Sequence, residues 1–246
     1  MENKKRQNLN LIGDGTAAGG VYNNVKIIGE ETINGDIDCI GLKVTGTCDI
    51  RGNVRVRTGK ITGTADIKGN LEAEEVTIVG NMNIGNDAIA KEFKISGEVN
   101  IKGSASIEKA NIFGFLDIRG ECNTENFMVK GPFKIGGLLN AGNIDVEMHS
   151  KCHVKEIGGE RISIRRGTDI FFKKMIKFFY VPEDFYLGQL VTDSIEGDDI
   201  YLEYVKAKVV RGDNIEIGPG CEIGLIEYKD ILKQHESSSV EKSRKL

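Results

Sequence analysis

At 246 residues, with a net charge of −4 and a pI near 5.6, the chain is long enough to bury a core unaided and lacks the basic field that holds a nucleic-acid backbone. No stretch reaches the length of a membrane-spanning helix, and the opening MENKKRQNLN has no apolar signal-peptide core, so a cytoplasmic protein is expected. Five cysteines, an odd number without a CxxC pair, match neither a disulfide framework nor a zinc site.

Residues 1-24 form an N-terminal tail and an imperfect first coil, in which Leu9 and Leu11 stand one residue out of step with the later coils. From Val25 a 17-residue repeat takes over. Stepping by seventeen from Ile27 gives Val44, Ile61, Ile78, Ile95, Ile112, Val129 and Val146, all β-branched. A second column runs Ile33, Ile50, Ile67, Ile84, Ile101, Ile118 and Ile135. Glycine keeps the same step at Gly29, Gly46, Gly63, Gly80, Gly97, Gly114 and Gly131, and again at Gly35, Gly52, Gly69, Gly103, Gly120 and Gly137 with Asn86 filling the gap. Both glycine columns are expected to be corners with positive φ, which asparagine also tolerates.

One unit shows how 17 residues make a coil. Leu42-Lys43-Val44, Cys48-Asp49-Ile50 and Val54-Arg55-Val56 alternate in-out-in, separated by turns at Gly46, Gly52 and Thr58. Stacked roughly 4.8 Å apart, such coils make three parallel sheets. Each buried Val or Ile contributes roughly 1.5–3 kcal/mol, so stability accumulates coil by coil. The fold class is therefore an all-β, three-sided parallel β-helix. A left-handed hexapeptide helix needs three equal sixes, whereas here the third side is a residue short; with the strong preference of parallel crossovers, this favours a right-handed helix.

The regular β-helix spans 25-167. Segment 168-192 is a Phe-rich insertion, holding Phe171, Phe172, Phe178, Phe179 and Phe185. Closing coils over 193-230 are read from the alternating triplets at Ile200/Leu202, Val205/Ala207, Ile215/Ile217 and Cys221/Ile223. A short helical or frayed stretch at Tyr228 to Lys233 and a polar tail over 231-246, too hydrophilic to pack, are expected to end the chain.

The opening GTAAGGVYNNVKIIGEETINGDIDC, the glycine-punctuated coils and the ending VVRGDNIEIGPGCEIGLIEY resemble the bactofilins, the bacterial polymer-forming cytoskeletal proteins, especially their longer Gram-positive-type members. The similarity spans nearly the whole chain. It implies a right-handed β-helix that assembles without nucleotide into filaments through its end coils, beneath the membrane, and recruits cell-wall, morphogenesis or motility factors. The Phe-rich insertion and late closing coils depart from the short members of that family, so their C-terminal contact does not transfer directly.

Exposed strand edges template further strands unless they are capped, which independently favours end-to-end assembly. The candidates for that contact are Leu9, Leu11 and Ile12 at one end and Ile217, Ile223, Ile226 and Tyr228 at the other. Two self-complementary ends give a filament without polarity, and a head-to-tail contact gives a polar one. In the insertion, Phe171, Phe172, Lys173, Lys174, Met175, Ile176, Lys177, Phe178 and Phe179 have the mixture of an interfacial membrane contact at the inner face of the cell membrane; the plainer alternative is a loop folded back over the open end of the helix. The outward columns Lys26, Lys43, Lys60, Thr77, Lys94 and Thr32, Asp49, Asp66, Asn83, Asn100, Asp117 make one face basic and the next acidic. They serve solubility or dock partners, the latter being the use a non-polymerising adaptor would make of the same solenoid.

Catalysis is not expected. A hexapeptide acyltransferase needs an 18-residue period and a positioned histidine, but His149, His153 and His235 all lie past Val146, the last member of the strict repeat columns. A β-helix polysaccharide lyase or hydrolase needs a denser acidic or arginine cluster on one sheet. His149, Cys152 and His153 have the elements of a zinc site, although Cys152 is more simply a buried apolar residue, as are Cys39, Cys48 and Cys122. The glycines sit at corner spacing rather than in a phosphate cradle, so no cofactor and no small-molecule substrate is expected.

Overall fold

The computed structural model describes residues 6–167 and 188–246. Among them every regular element is a strand: β1 (Gln7–Ile50), β2 (Val54–Ile67), β3 (Leu71–Ile84), β4 (Ala88–Ile101), β5 (Ala105–Ile118), β6 (Cys122–Lys130), β7 (Phe133–Met148), β8 (Lys151–Arg166), β9 (Gln189–Leu202), β10 (Val205–Ile217), β11 (Glu222–Gln234) and β12 (Ser239–Lys245). Each pairs in parallel with the next, in sequence order. The fold is a parallel β-helix in which most of these strands are one coil, continuing around two of its three corners.

The register matches the 17-residue step. Ile50 lies over Ile67, which lies over Ile84, Ile101 and Ile118 in turn. The inward side chains merge into one core running from Val25 to Ile226. Phe93, Phe127 and Phe133 are fully buried in it, the last two edge to face with ring centroids 5.6 Å apart.

The glycine columns divide into two physical cases. Gly29 to Gly131 take φ between +118° and +143°, as expected for a corner that L-residues avoid. The second column is a correction. Gly35 alone has positive φ there; the others, and Asn86 with them, do not. Those glycines serve close approach instead, because a Cβ at Gly52 would run into the backbone of Gly35 and Asp36. Beside that corner a polar ladder climbs the stack: the Asp36 carboxylate accepts the Asn53 amide N–H at 2.7 Å, the Asn53 side-chain oxygen accepts Asn70 N–H at 2.9 Å, and Asn70 does the same for Asp87 at 3.1 Å.

Coil length varies where the repeat is least regular. The first coil holds sixteen residues, since Asn8 Oδ1 accepts the Asn24 N–H at 3.2 Å. Between β7 and β8 the offset widens, with Ile135 over Val154 and Val146 over Ile164. Cys152 is thus inward and buried but does not continue the isoleucine column, which passes to Val154. Val205 lies over Leu190, a step of only fifteen.

The end of the chain also departs from expectation. The stretch Tyr228 to Lys233 lies within strand β11 and is not helical, and the polar tail forms β12, with Val240 paired to Ile223. A last coil buries only one side of itself, so it needs few apolar residues. Ser238 is buried, donating to Gly218 O at 2.6 Å and accepting from Cys221 N–H at 2.9 Å. Glu227 ties β12 down by bonding Arg211 at 2.6 Å and also Arg244. The Arg211 hydrogen bond, helped by the Arg244 charge, holds the Glu227 carboxyl below its ordinary value of 4.5. A depressed carboxyl stabilises the docked strand above that value and ceases to do so as pH falls through its folded-state pKa. Glu227→Ala should therefore speed tryptic cleavage after Lys242 and Arg244 several-fold while leaving the upstream coils intact, as mass spectrometry of limited digests will read out.

All five cysteines are free and buried. Burial pushes the Cys48, Cys122 and Cys152 thiols up to about 12 and Cys39 to about 11. A raised thiol pKa means the folded state holds its proton longer, so stability should decline as pH rises above the ordinary 9.0 and continue to fall toward the folded-state values. Titration with an aromatic disulfide reagent at pH 8 should find these thiols unreactive until denaturant is added; prompt reaction of the native protein would contradict their placement.

Candidate functional site: two tips and a lateral groove

The two tips of the stack differ. At the N-terminal tip the first coil carries only Arg6 and Asp14 as charged residues between 6 and 22. Leu9 and Leu11 are half-buried against the core, whereas Ile12 is 75% exposed and Val21 58% exposed. Arg6 crosses to Asp38 at 3.0 Å. Among the described residues no helix or crossing segment covers this edge.

At the other tip the candidates lie further inside than the sequence suggested. Ile217, Ile223 and Ile226 are fully buried, because β11 and β12 pair over them. Tyr228 is half-buried against the core. What faces outward is β12 itself, a seven-residue strand bearing Glu241, Lys242, Arg244 and Lys245. A short, charged last strand is a common way of discouraging indiscriminate edge pairing, so this tip is blunted but still shows strand edge.

The membrane-contact candidates Phe171 to Phe179 lie outside the described residues. The described residues on either side of that segment are well held. Gly167 N–H donates to Met148 O at 2.8 Å, Arg166 N–H donates to Glu203 Oε2 at 3.0 Å, and Arg166 Nε–H donates to Gly188 O at 3.1 Å. The Arg166 guanidinium also stacks over the Tyr204 ring, 3.1 Å from its centroid. Tyr204, with φ of 52°, is the one described non-glycine residue in the left-handed region.

The charged columns are less available than they look in sequence. Asp49 is paired with Arg51 at 3.3 Å and Lys68 at 3.2 Å, and Asp66 accepts from Asn83 at 2.6 Å. Ion pairs between successive coils, such as Arg55–Glu72 and Lys206–Glu222, offset the stacking of like charges. Both pairs are exposed, so solvent screening leaves them little net weight in stability. Cys152 points inward, His153 outward, and the His149 ring lies 3.3 Å from Glu147. Among the described residues no three His, Cys, Asp or Glu side chains gather as a metal site would require.

Sequence reasoning missed a groove of about 750 Å³ on the first face, whose lining includes Val79, Phe113, Met128, Asp145, Glu147 and Arg165. Val79, Phe113 and Met128 are half-exposed apolar side chains at outward positions. The signal was present as apolar letters in the outward phase of the repeat.

The chain is 50% identical over 247 residues to the uncharacterized protein YhbF of Bacillus subtilis strain 168, with both chains covered completely. It is 47% identical over 57 residues to the uncharacterized protein YhbE of the same organism, covering 23% of this chain and 24% of the relative. No protein-family profile matches the chain. No solved structure matches it.

Proposed function

The chain belongs to the family of the Bacillus subtilis protein YhbF, and from that premise we infer that it is a non-enzymatic scaffold that polymerises through the end coils of its β-helix without nucleotide. The similarity runs the full length of both chains, so the stack and both tips are the shared unit. The observation that carries the reading is the N-terminal tip: a nearly uncharged coil with open strand edge and exposed Ile12 and Val21, which a second copy can cover by strand pairing and apolar contact. The resemblance to the bactofilins supports the same reading. It further suggests recruitment of cell-envelope, morphogenesis or motility factors at the inner face of the cell membrane.

The second reading is a non-polymerising adaptor that docks partners on its charged faces. It is favoured by Lys26, Lys43 and Lys60, which form an outward row on the first face. Sedimentation velocity of the purified protein across a broad concentration range, without nucleotide, separates the two. Growth of fast-sedimenting species with concentration supports the scaffold, and one concentration-independent species supports the adaptor.

A further inference from the structure

One inward column of the stack begins with a charge. Cys48, Ala65, Met82 and Val99 lie over one another in successive coils, all buried. Seventeen residues before Cys48 the same column holds Glu31, which is only 7% exposed. Among the described residues its carboxylate has neither a hydrogen-bond donor nor a cation as partner.

The carboxylate is aimed at the N-terminal tip. Gly15 stands next to it in the first coil, and a Cβ there would lie 3.1 Å from Oε2 and 3.6 Å from Oε1 of Glu31. No positive φ calls for glycine at that position, so the missing side chain leaves room for the acid. Glu31 thus puts a charge where the first coil would otherwise turn a side chain inward, and its oxygens are not sealed from water. Asp14 and Glu30, the preceding residue in each coil, are exposed. A metal ion is a poor match, since no three potential ligands gather among the described residues.

A coil docked on this tip by strand pairing would lie about 4.8 Å beyond Gly15, with no side chain there to hold it off. It would strip the last water from an unpaired charge, which is strongly unfavourable. Inward-pointing charges are one means by which open strand edges are kept from pairing. We propose that Glu31 is a gate on the N-terminal tip, holding back a second copy of this chain by the cost of drying its carboxylate. The inference rests on the scaffold reading and deepens it: exposed Ile12 and Val21 favour the contact, and the inward Glu31 opposes it. A second copy meeting the same tip brings no free cation to reverse the effect, because Arg6, the one base between residues 6 and 22, is held by Asp38 at 3.0 Å.

The test is the concentration at which half of the full-length protein sediments as assemblies. Glu31→Gln, which keeps the shape and loses the charge, should lower it at least tenfold against the wild type. Glu31→Met, a residue the same column already accepts at Met82, should do so too and guards against a disturbance peculiar to glutamine. Asp14→Asn makes the same change of charge beside Gly15 but at an exposed position, and should shift the midpoint less than twofold. Equal midpoints for the Glu31 variants and the wild type overturn the gate and leave the scaffold reading standing. Weaker assembly by both Glu31 variants makes the carboxylate an anchor and overturns the gate as well. So does an equal gain from Asp14→Asn, which makes net charge the cause. Dispersed protein in every case overturns the gate and the scaffold reading together.

Discussion

Alanine at Gly80 is expected to destabilise the protein by about 3 kcal/mol, at the upper end of the strain of a non-glycine residue in a glycine-only region. Its φ is +129°, and a Cβ there would run into the carbonyl oxygen of Gly63 directly below. Neither partner can yield, because both belong to a column of backbone that stacks in register from Gly29 to Gly131. For a chain of this size the melting midpoint should fall by roughly 6–12 °C. Gly59 is the control. It is buried at an inward position with ordinary φ, and a Cβ there meets only Val76 and Val56 side-chain carbons at 3.6 to 3.8 Å. Gly59→Ala should raise stability by about 0.4–1 kcal/mol through the unfolded chain. Opposite signs at two glycines of one repeat identify corner geometry, not glycine content, as what the stack requires.

The largest effect on assembly is expected from a charge at the N-terminal tip. Ile12 is three-quarters exposed, so Ile12→Asp leaves the coil's own packing intact. In a contact between like tips each aspartate would sit near its symmetry mate, and such like-charge juxtaposition costs several kcal/mol. Sedimentable assemblies should drop at least tenfold while the melting curve is unchanged. The size of what remains also reports polarity: dimers joined by the β12 tip signal like-to-like contacts, and monomers signal head-to-tail contacts. Full assembly by Ile12→Asp would remove the N-terminal tip from the mechanism.

The sequence disclosed the stack because one physical demand, an aliphatic over an aliphatic every turn, repeats without interruption from Ile27 to Val146. Ile50, Ile67 and Ile84 could be placed over one another from spacing alone. Where only part of a coil needs to be apolar, that demand weakens and legibility goes with it. Strand β12 was unreadable for this reason, since Val240 is its one side chain against the core and the buried Ser238 beside it works by hydrogen bonding. The second glycine column was seen but misassigned, because spacing marks a corner without distinguishing positive φ from want of room. At the tips, Leu9, Leu11 and Ile12 lie on the first coil with Ile12 exposed, whereas Ile217, Ile223 and Ile226 are covered by the unforeseen final coil. The groove escaped notice because Val79, Phe113 and Met128 look like ordinary strand residues until their outward phase is fixed.

The central claim is that these tips join. Negative-stain electron microscopy of the purified full-length protein, without nucleotide and at micromolar concentration, addresses it most directly. The expected result is unbranched filaments one β-helix wide, with an axial repeat of roughly 60 Å, the height of the stack at about 4.8 Å per row, or twice that if like tips meet. A field of dispersed single rods at every concentration would contradict it.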